Sequence, residues 1–220
     1  MERRRVHVIR PGDYLTKLAD RYQFDPETVW THERNAGLRA DRDDMDLLAP
    51  GDLVVVPDHL PETYDLQVGA ENEYVVELRR VTVRTRFIVN DEPLAGEPFT
   101  IAEGIADCPA FETDGDGYAE FTVNTQVRDL PVFFPGKNLT YQLQIGYLDP
   151  ATTPSGLRSR LLGLGYYAEV PLTQTKLGKT ELRALALTRA LAAFQDAEGL
   201  AITGEADAAT IARLTEVFGS

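Results

Sequence analysis

Hydrophobic and polar positions along this chain change period twice, and the changes divide it into three stretches. In the first, Val6 and Val8 alternate with polar neighbours as a half-buried strand does. Pro11-Gly12 predicts a turn, and Asp13 is placed to accept hydrogen bonds from the first free amides of a helix. Leu15, Leu18, Ala19 and Tyr22, spaced by three and four, predict that helix. Asp25-Pro26-Glu27 combines an N-cap, a proline at the first helical position and an acid in the first turn, so it predicts a second. Val29, Trp30 and Glu33 continue it towards Asn35-Ala36-Gly37, and Leu53-Val54-Val55-Val56 makes a return strand ended by Pro57.

Residues 58–69 hold prolines, acids and scattered polar positions, and read as a boundary. From Glu73 the period becomes two, through Val75, Glu77, Arg79, Val81, Val83 and Thr85. Further strands are expected at Arg86–Val89, Phe99–Ala102, Ala119–Val123 and Leu139–Ile145, with turns at Asn90-Asp91-Glu92-Pro93 and Thr113-Asp114-Gly115-Asp116-Gly117. Short strands so punctuated predict a small antiparallel β-sandwich. Helical spacing returns after residue 150. Leu157, Leu161, Leu162 and Leu164 follow Ser155 and stop at Gly165. Thr180 opens a longer helix through Leu187, Ala190, Leu191 and Phe194, and Asp207 caps a third with Ile211 and Leu214. The expected architecture is therefore α+β and multidomain: a βααβ module at 1–60, an antiparallel β-sandwich spacer at 61–150 and a small three-helix bundle at 151–220.

Charge narrows the partners. The chain carries a formal −13, and the acid is concentrated in the middle: residues 61–150 hold 6 basic and 16 acidic side chains, against 9 and 12 before them and 7 and 7 after. No basic patch suited to nucleic acid or an anionic membrane is expected, and no window reaches the ~20 apolar residues of a membrane span. Arg3-Arg4-Arg5 is followed at once by Arg10, Pro11 and Asp13 instead of an apolar run, so synthesis in the cytoplasm without a signal peptide is expected. Delivery to the periplasm or cell envelope then needs a specialised route.

The single cysteine, Cys108, has no internal disulfide partner and no histidine close in sequence, and reads as a structural thiol. His7, His32 and His59 all fall near the first module, and no His-Glu-x-x-His or Gly-x-Ser-x-Gly motif occurs. Asp114 and Asp116 admit a calcium reading, but Gln126 supplies no bidentate carboxylate and a hairpin turn is the better account. No catalytic residue, metal or cofactor is expected.

Two resemblances supply a function. The run Pro11-Gly12-Asp13-Tyr14-Leu15, Leu18-Ala19, Tyr22, Asn35, Leu38 and Pro50-Gly51-Asp52 resembles a LysM domain, a module that recognises N-acetylglucosamine-containing glycans such as peptidoglycan or chitin-like polymers. That resemblance implies a glycan groove between Gly12, Asp13, Tyr14 and Leu15 on one side and Asn35, Ala36, Gly37 and Leu38 on the other. Position 14 is tyrosine where the family usually has serine or threonine, and the segment 38–48 is longer and more acidic than usual. The set Leu161, Leu164-Gly165-Tyr166, Phe194-Gln195, Gly199-Leu200, Thr203-Gly204, Asp207, Thr210 and Leu214 resembles the three-helix type of peptidoglycan-binding domain, implying Tyr166 and Gln195 at a second groove. The family's usual turn before the long helix is replaced by residues 173–179. The middle stretch resembles carboxypeptidase-regulatory or prealbumin-like spacers. The order of modules is similar to accessory proteins of type VI secretion and other contractile injection systems. Two readings follow: a non-catalytic peptidoglycan-binding protein, or an adaptor that uses the same folds to hold a spike or toxin effector protein.

Overall fold

The structure, a computed structural model, describes residues 4–57, 67–73, 78–90, 92–102, 106–107, 111–168 and 178–218. Cys108, His59, Val75, Glu77 and most of 173–179 therefore lie outside the described residues. Among the described residues the chain is mixed α and β, with six α-helices and several small antiparallel sheets, none of which closes into a barrel.

Strand β1 (Arg4–Val8) pairs antiparallel with β2 (Leu53–Pro57) in the register Val6↔Val55. Val54 and Val56 face inward, where they join Ile9, Leu15, Leu18, Ala19, Phe24, Val29 and Leu48 in one apolar cluster. Helix α1 (Leu15–Tyr22) forms where the spacing predicts, but Asp13 does not cap it. The Asp13 carboxylate accepts from the Arg10 amide (3.1 Å), one residue short of the helix. The cap comes from Asp46, thirty residues on, whose Oδ1 accepts from Thr16 N (2.8 Å) and whose Oδ2 accepts from Thr16 Oγ1 (2.7 Å). An N-terminal amide needs an acceptor from anywhere in space, and local sequence shows only the near candidates.

Helix α2 (Pro26–Thr31) opens as expected, with Thr28 N donating to Asp25 Oδ2 at 2.9 Å. It does not run on to Asn35. His32 is extended, and its ring Nδ1 accepts from Arg34 N (3.2 Å), opening a 3₁₀ turn over Glu33–Asn35. A third short helix, α3 (Ala36–Asp41), follows. Arg39 reaches back to the carbonyls of Trp30 and His32 and so satisfies the end of α2 with a charged donor.

The middle stretch contains β3 (Arg80–Arg86), β4 (Ile88–Val89), β5 (Glu92–Pro93), β6 (Ala106–Asp107), β7 (Tyr118–Asn124), β8 (Asp129–Phe134) and β9 (Leu139–Gln144). They form a sheet of order β3-β7-β6 and the pairs β4-β5 and β8-β9. One core joins them: Phe87, Phe99, Phe121, Val123, Leu130, Val132, Phe134 and Ile145, with Phe87 edge-on to Phe134 at 4.9 Å. Two expectations need correction. The strand β8 was not anticipated, because Pro131 interrupts its pattern; facing Gln142 in a two-stranded pair, the proline has a free side on which its missing N–H is harmless. Phe99–Ala102 is not a regular strand but touches its neighbours by isolated bridges such as Thr100↔Phe133. The 113–117 turn is a hairpin turn, in which Asp114 Oδ1 accepts from the amides of Asp116 (2.9 Å) and Tyr118 (2.8 Å).

The last stretch packs α4 (Pro154–Gly163), α5 (Lys179–Ala197) and α6 (Ala208–Phe218) around Leu157, Leu161, Leu164, Tyr167, Leu191, Phe194, Leu214 and Val217. Helix α4 starts earlier than Ser155: Thr153 Oγ1 accepts from Gly156 N (3.1 Å), with Pro154 at the first position. Asp207 caps α6 as expected, accepting from Thr210 N at 2.8 Å. Arg160 is fully buried, donating from Nη1 to the carbonyls of Asp149 (2.7 Å) and Gly156 (3.2 Å). Burial pushes its guanidinium down to about 10, against the pull of Asp149, so it stays cationic at neutral pH.

Candidate functional site

The sequence places a first candidate surface on residues 12–15 and 35–38. The structure gives most of these positions work inside the protein. Gly12 is buried with φ +86, and a Cβ there would stand 2.9 Å from Tyr147 Cζ, so the ring of Tyr147 lies directly on its backbone. Tyr14 is 2 % exposed and belongs to the core of the middle stretch. Its ring covers Gly146, where a Cβ would meet Cδ1 at 2.7 Å, and its hydroxyl donates to Thr125 O at 3.4 Å. Burial, with Asp46 and Asp20 nearby, pushes the Tyr14 phenol well above its usual range. Leu15 is wholly buried in the first core.

Asp13 remains half-buried. Its Oδ2 lies 3.0 Å from His7 Nε2, and His7 Nδ1 lies 3.3 Å from Tyr22 Oη, a network satisfied when Nε2 carries the proton. Lys17 Nζ donates to Gly12 O at 2.7 Å. Burial holds that ammonium below the ordinary lysine value, opposed by Asp13 and reinforced by Arg21 and Arg128.

Asn35 is 1 % exposed and fully employed. Its Nδ2 donates to Val29 O (2.7 Å) and Val55 O (3.0 Å), while Oδ1 accepts from Val55 N (2.9 Å). The side-chain amide thus pairs with the outer edge of β2 as a neighbouring strand would. Ala36 and Gly37 are exposed and Leu38 is half-buried. Among the described residues no hydrogen bond or ring contact links 12–15 with 35–38.

Three contacts fasten the first stretch to the middle one beside Tyr14. Arg79 Nε lies 3.4 Å from Asp20 Oδ1, Arg79 Nη2 donates to Phe24 O at 3.0 Å, and Thr125 Oγ1 donates to Asp20 Oδ2. None of these was legible in sequence. Their one signal was a tyrosine at position 14, whose ring reaches the middle core where a small hydroxyl residue would not.

In the last stretch Tyr166 is half-buried, following Gly165 at the end of α4, and meets Phe194 edge-on at 5.5 Å. Gln195 is 0 % exposed. Its Nε2 lies within hydrogen-bond distance of Thr203 Oγ1 (3.0 Å), Glu205 O (2.9 Å) and Thr210 Oγ1 (2.9 Å), and its Oε1 accepts from the amides of Thr203 (2.9 Å) and Gly204 (2.8 Å). Consecutive residues of α5 therefore hold Tyr166 and the 203–205 loop. The two sequence-predicted residues are brought to one part of the bundle, with Gln195 as the clamp of a loop and Tyr166 as the more accessible member. Ile202, at the start of that loop, is 62 % exposed and was not singled out from sequence. Asp207 lies just beyond; the hydrogen bonds from Thr210, backbone first and then side chain, hold its carboxyl below the usual range.

Among the described residues no three His, Cys, Asp or Glu side chains gather as a metal site, and no helix is long and apolar enough to cross a membrane.

This helical geometry has a counterpart among known families. Residues 155–214 match the family model described as "Putative peptidoglycan binding domain", so this segment is similar to that family over just over a quarter of the chain. The match runs from the start of α4 to the last turns of α6 and includes Tyr166, Gln195 and the 203–205 loop. No curated protein and no solved structure matches the chain.

Proposed function

We propose that this chain is a non-catalytic peptidoglycan-binding protein whose contact with amino-sugar polymer is made by residues 151–220. The observation that carries the reading is the family match at 155–214, on a segment where three helices share a core and Gln195 pins a loop bearing the exposed Ile202. Tyr166 and Ile202 offer apolar faces of the kind sugar rings pack on, and the adjacent backbone offers polar partners for an acetamido group. Binding through the LysM-like stretch falls to the exposed and half-buried positions Asp13, Ala36, Gly37 and Leu38, since Gly12, Tyr14, Leu15 and Asn35 serve the interior.

The adaptor reading keeps one specific support, the covering of Gly12 and Tyr14 by the middle stretch. A module docked in this way serves as a structural part, as expected of a component that holds a spike or effector protein in an injection system. Retention on insoluble peptidoglycan separates the two. The full chain and an Ile202→Asp variant are incubated with purified sacculi and pelleted. Retention of the wild type with loss in the variant supports the binder, and no retention of either refutes it.

A further inference from the structure

The outward face of the β3-β7 pair holds a cationic cluster that the glycan reading leaves unused. Register places Thr82 opposite Thr122, Arg84 opposite Glu120 and Arg86 opposite Tyr118, while Val83 and Phe121 take the core side. Two guanidinium groups converge on one ring: Arg84 Cζ stands 4.1 Å from the Tyr118 centroid and Arg86 Cζ 5.5 Å. Arg86 Nε donates to Asp116 O at 2.9 Å. Tyr118 donates its hydroxyl proton to the carbonyls of Val217 and Glu216 at the last turn of α6, so the cluster adjoins the helical bundle.

Like charges held over one ring repel, and a chain of net −13 has acids in surplus to neutralise them. Arg42, Arg79, Arg128 and Arg213 each lie within ion-pair distance of a carboxylate. Among the described residues neither Arg84 nor Arg86 does, although an acid stands opposite Arg84 in the register. The tyrosine ring orients both planar forks on an open sheet face, a geometry that suits bidentate recognition of a carboxylate.

We propose that Arg84 and Arg86 form a carboxylate-binding site, beside the helical bundle, for the anionic groups carried by the peptides of the wall polymer. The assignment rests on the peptidoglycan reading and adds to it a second, charge-selective contact. Through Tyr118 the cluster touches the last turn of α6, so a polymer held at the bundle presents its carboxylates to Arg84 and Arg86 at raised effective concentration.

The test measures retention of the full chain on native sacculi and on sacculi whose free carboxyl groups have been amidated, at low and moderate salt. Wild type, Arg84→Gln and the Arg84→Gln/Arg86→Gln pair are compared, with melting temperatures recorded for each. Arg84→Gln removes only a ring contact at an exposed position and serves as the variant that leaves folding intact. The pair is expected to weaken retention on native sacculi about tenfold at low salt, the single change by a smaller factor, and neither to matter on amidated sacculi. Equal retention of wild type and both variants on native sacculi overturns the site while leaving the peptidoglycan reading in place. Failure of the wild type to be retained on either polymer removes that reading and the site with it.

Discussion

Replacing Tyr14 with alanine tests whether this residue docks two parts of the chain or walls a glycan groove. The ring is 2 % exposed, packs on Gly146 and lies in the core that also holds Phe121 and Leu130. Truncating a buried aromatic leaves a cavity that neighbouring sheets fill only in part, at a cost of about 3–5 kcal/mol. Tyr14→Phe keeps the ring and gives up one hydrogen bond to Thr125 O, long at 3.4 Å, so its cost is about 0.5 kcal/mol. The chain contains a single tryptophan, Trp30, packed against the first core, and its fluorescence reports unfolding of that stretch directly. Denaturant titrations are expected to show a large fall in midpoint for Tyr14→Ala and a small one for Tyr14→Phe. In thermal scans the alanine variant should melt about 6–20 °C lower, taking about 2–4 °C per kcal/mol for a chain of this size. An unchanged midpoint for Tyr14→Ala, together with reduced retention on sacculi, would refute the docking account.

Four further outcomes follow from other contacts in the structure. Gly12→Ala forces a Cβ towards Tyr147 at φ +86 and should destabilise by about 1–3 kcal/mol, whereas Gly37→Ala, in helix α3 with open space around it, should be neutral or stabilising by up to about 1 kcal/mol; paired thermal melts compare the two. Asp46→Ala removes the distant cap of α1 and should cost about 1 kcal/mol. Burial raises the Asp46 carboxyl above the ordinary aspartate value, so the folded state holds its proton more tightly than the unfolded chain. Its stabilising contribution is full in acid and is lost as pH rises through the raised value, so Asp46→Asn should gain on wild type in denaturant midpoints as pH rises above the ordinary aspartate range. Gln195→Ala strips acceptors from the amides of Thr203 and Gly204 and should cost about 2–4 kcal/mol, with faster hydrogen exchange at those two amides; unchanged exchange would show that the loop holds itself.

Much of the local architecture was legible because its causes are local. Asp25-Pro26, Asp207 and the Asp114 turn act through amides two to four residues away, and each does what its spacing implies. The break after Thr31 was hidden, since it depends on Arg39 folding back onto carbonyls seven and nine residues behind it. Strand β8 escaped because Pro131 reads as a breaker until its place in a two-stranded pair is known. The candidate site divided in the same way. Gln195 has its loop partners Thr203 and Gly204 close behind it in sequence, whereas Tyr166 meets Phe194 only because α5 packs against the end of α4.

Sequence by itself determined the two changes of period, the helix starts that carry their own caps and the likeness of the last stretch to a peptidoglycan-binding family. Only the tertiary structure decided which polar and aromatic groups are left for a ligand. Tyr14, Asn35 and Gln195 have the chemistry of binding residues, yet each is consumed by an internal acceptor, strand edge or loop. Arg84 and Arg86, unremarkable as letters on a strand, are brought over one ring by the register of β3 on β7. Hydrogen-bonding capacity belongs to the residue type, whereas its availability depends on what folding brings within about 3 Å.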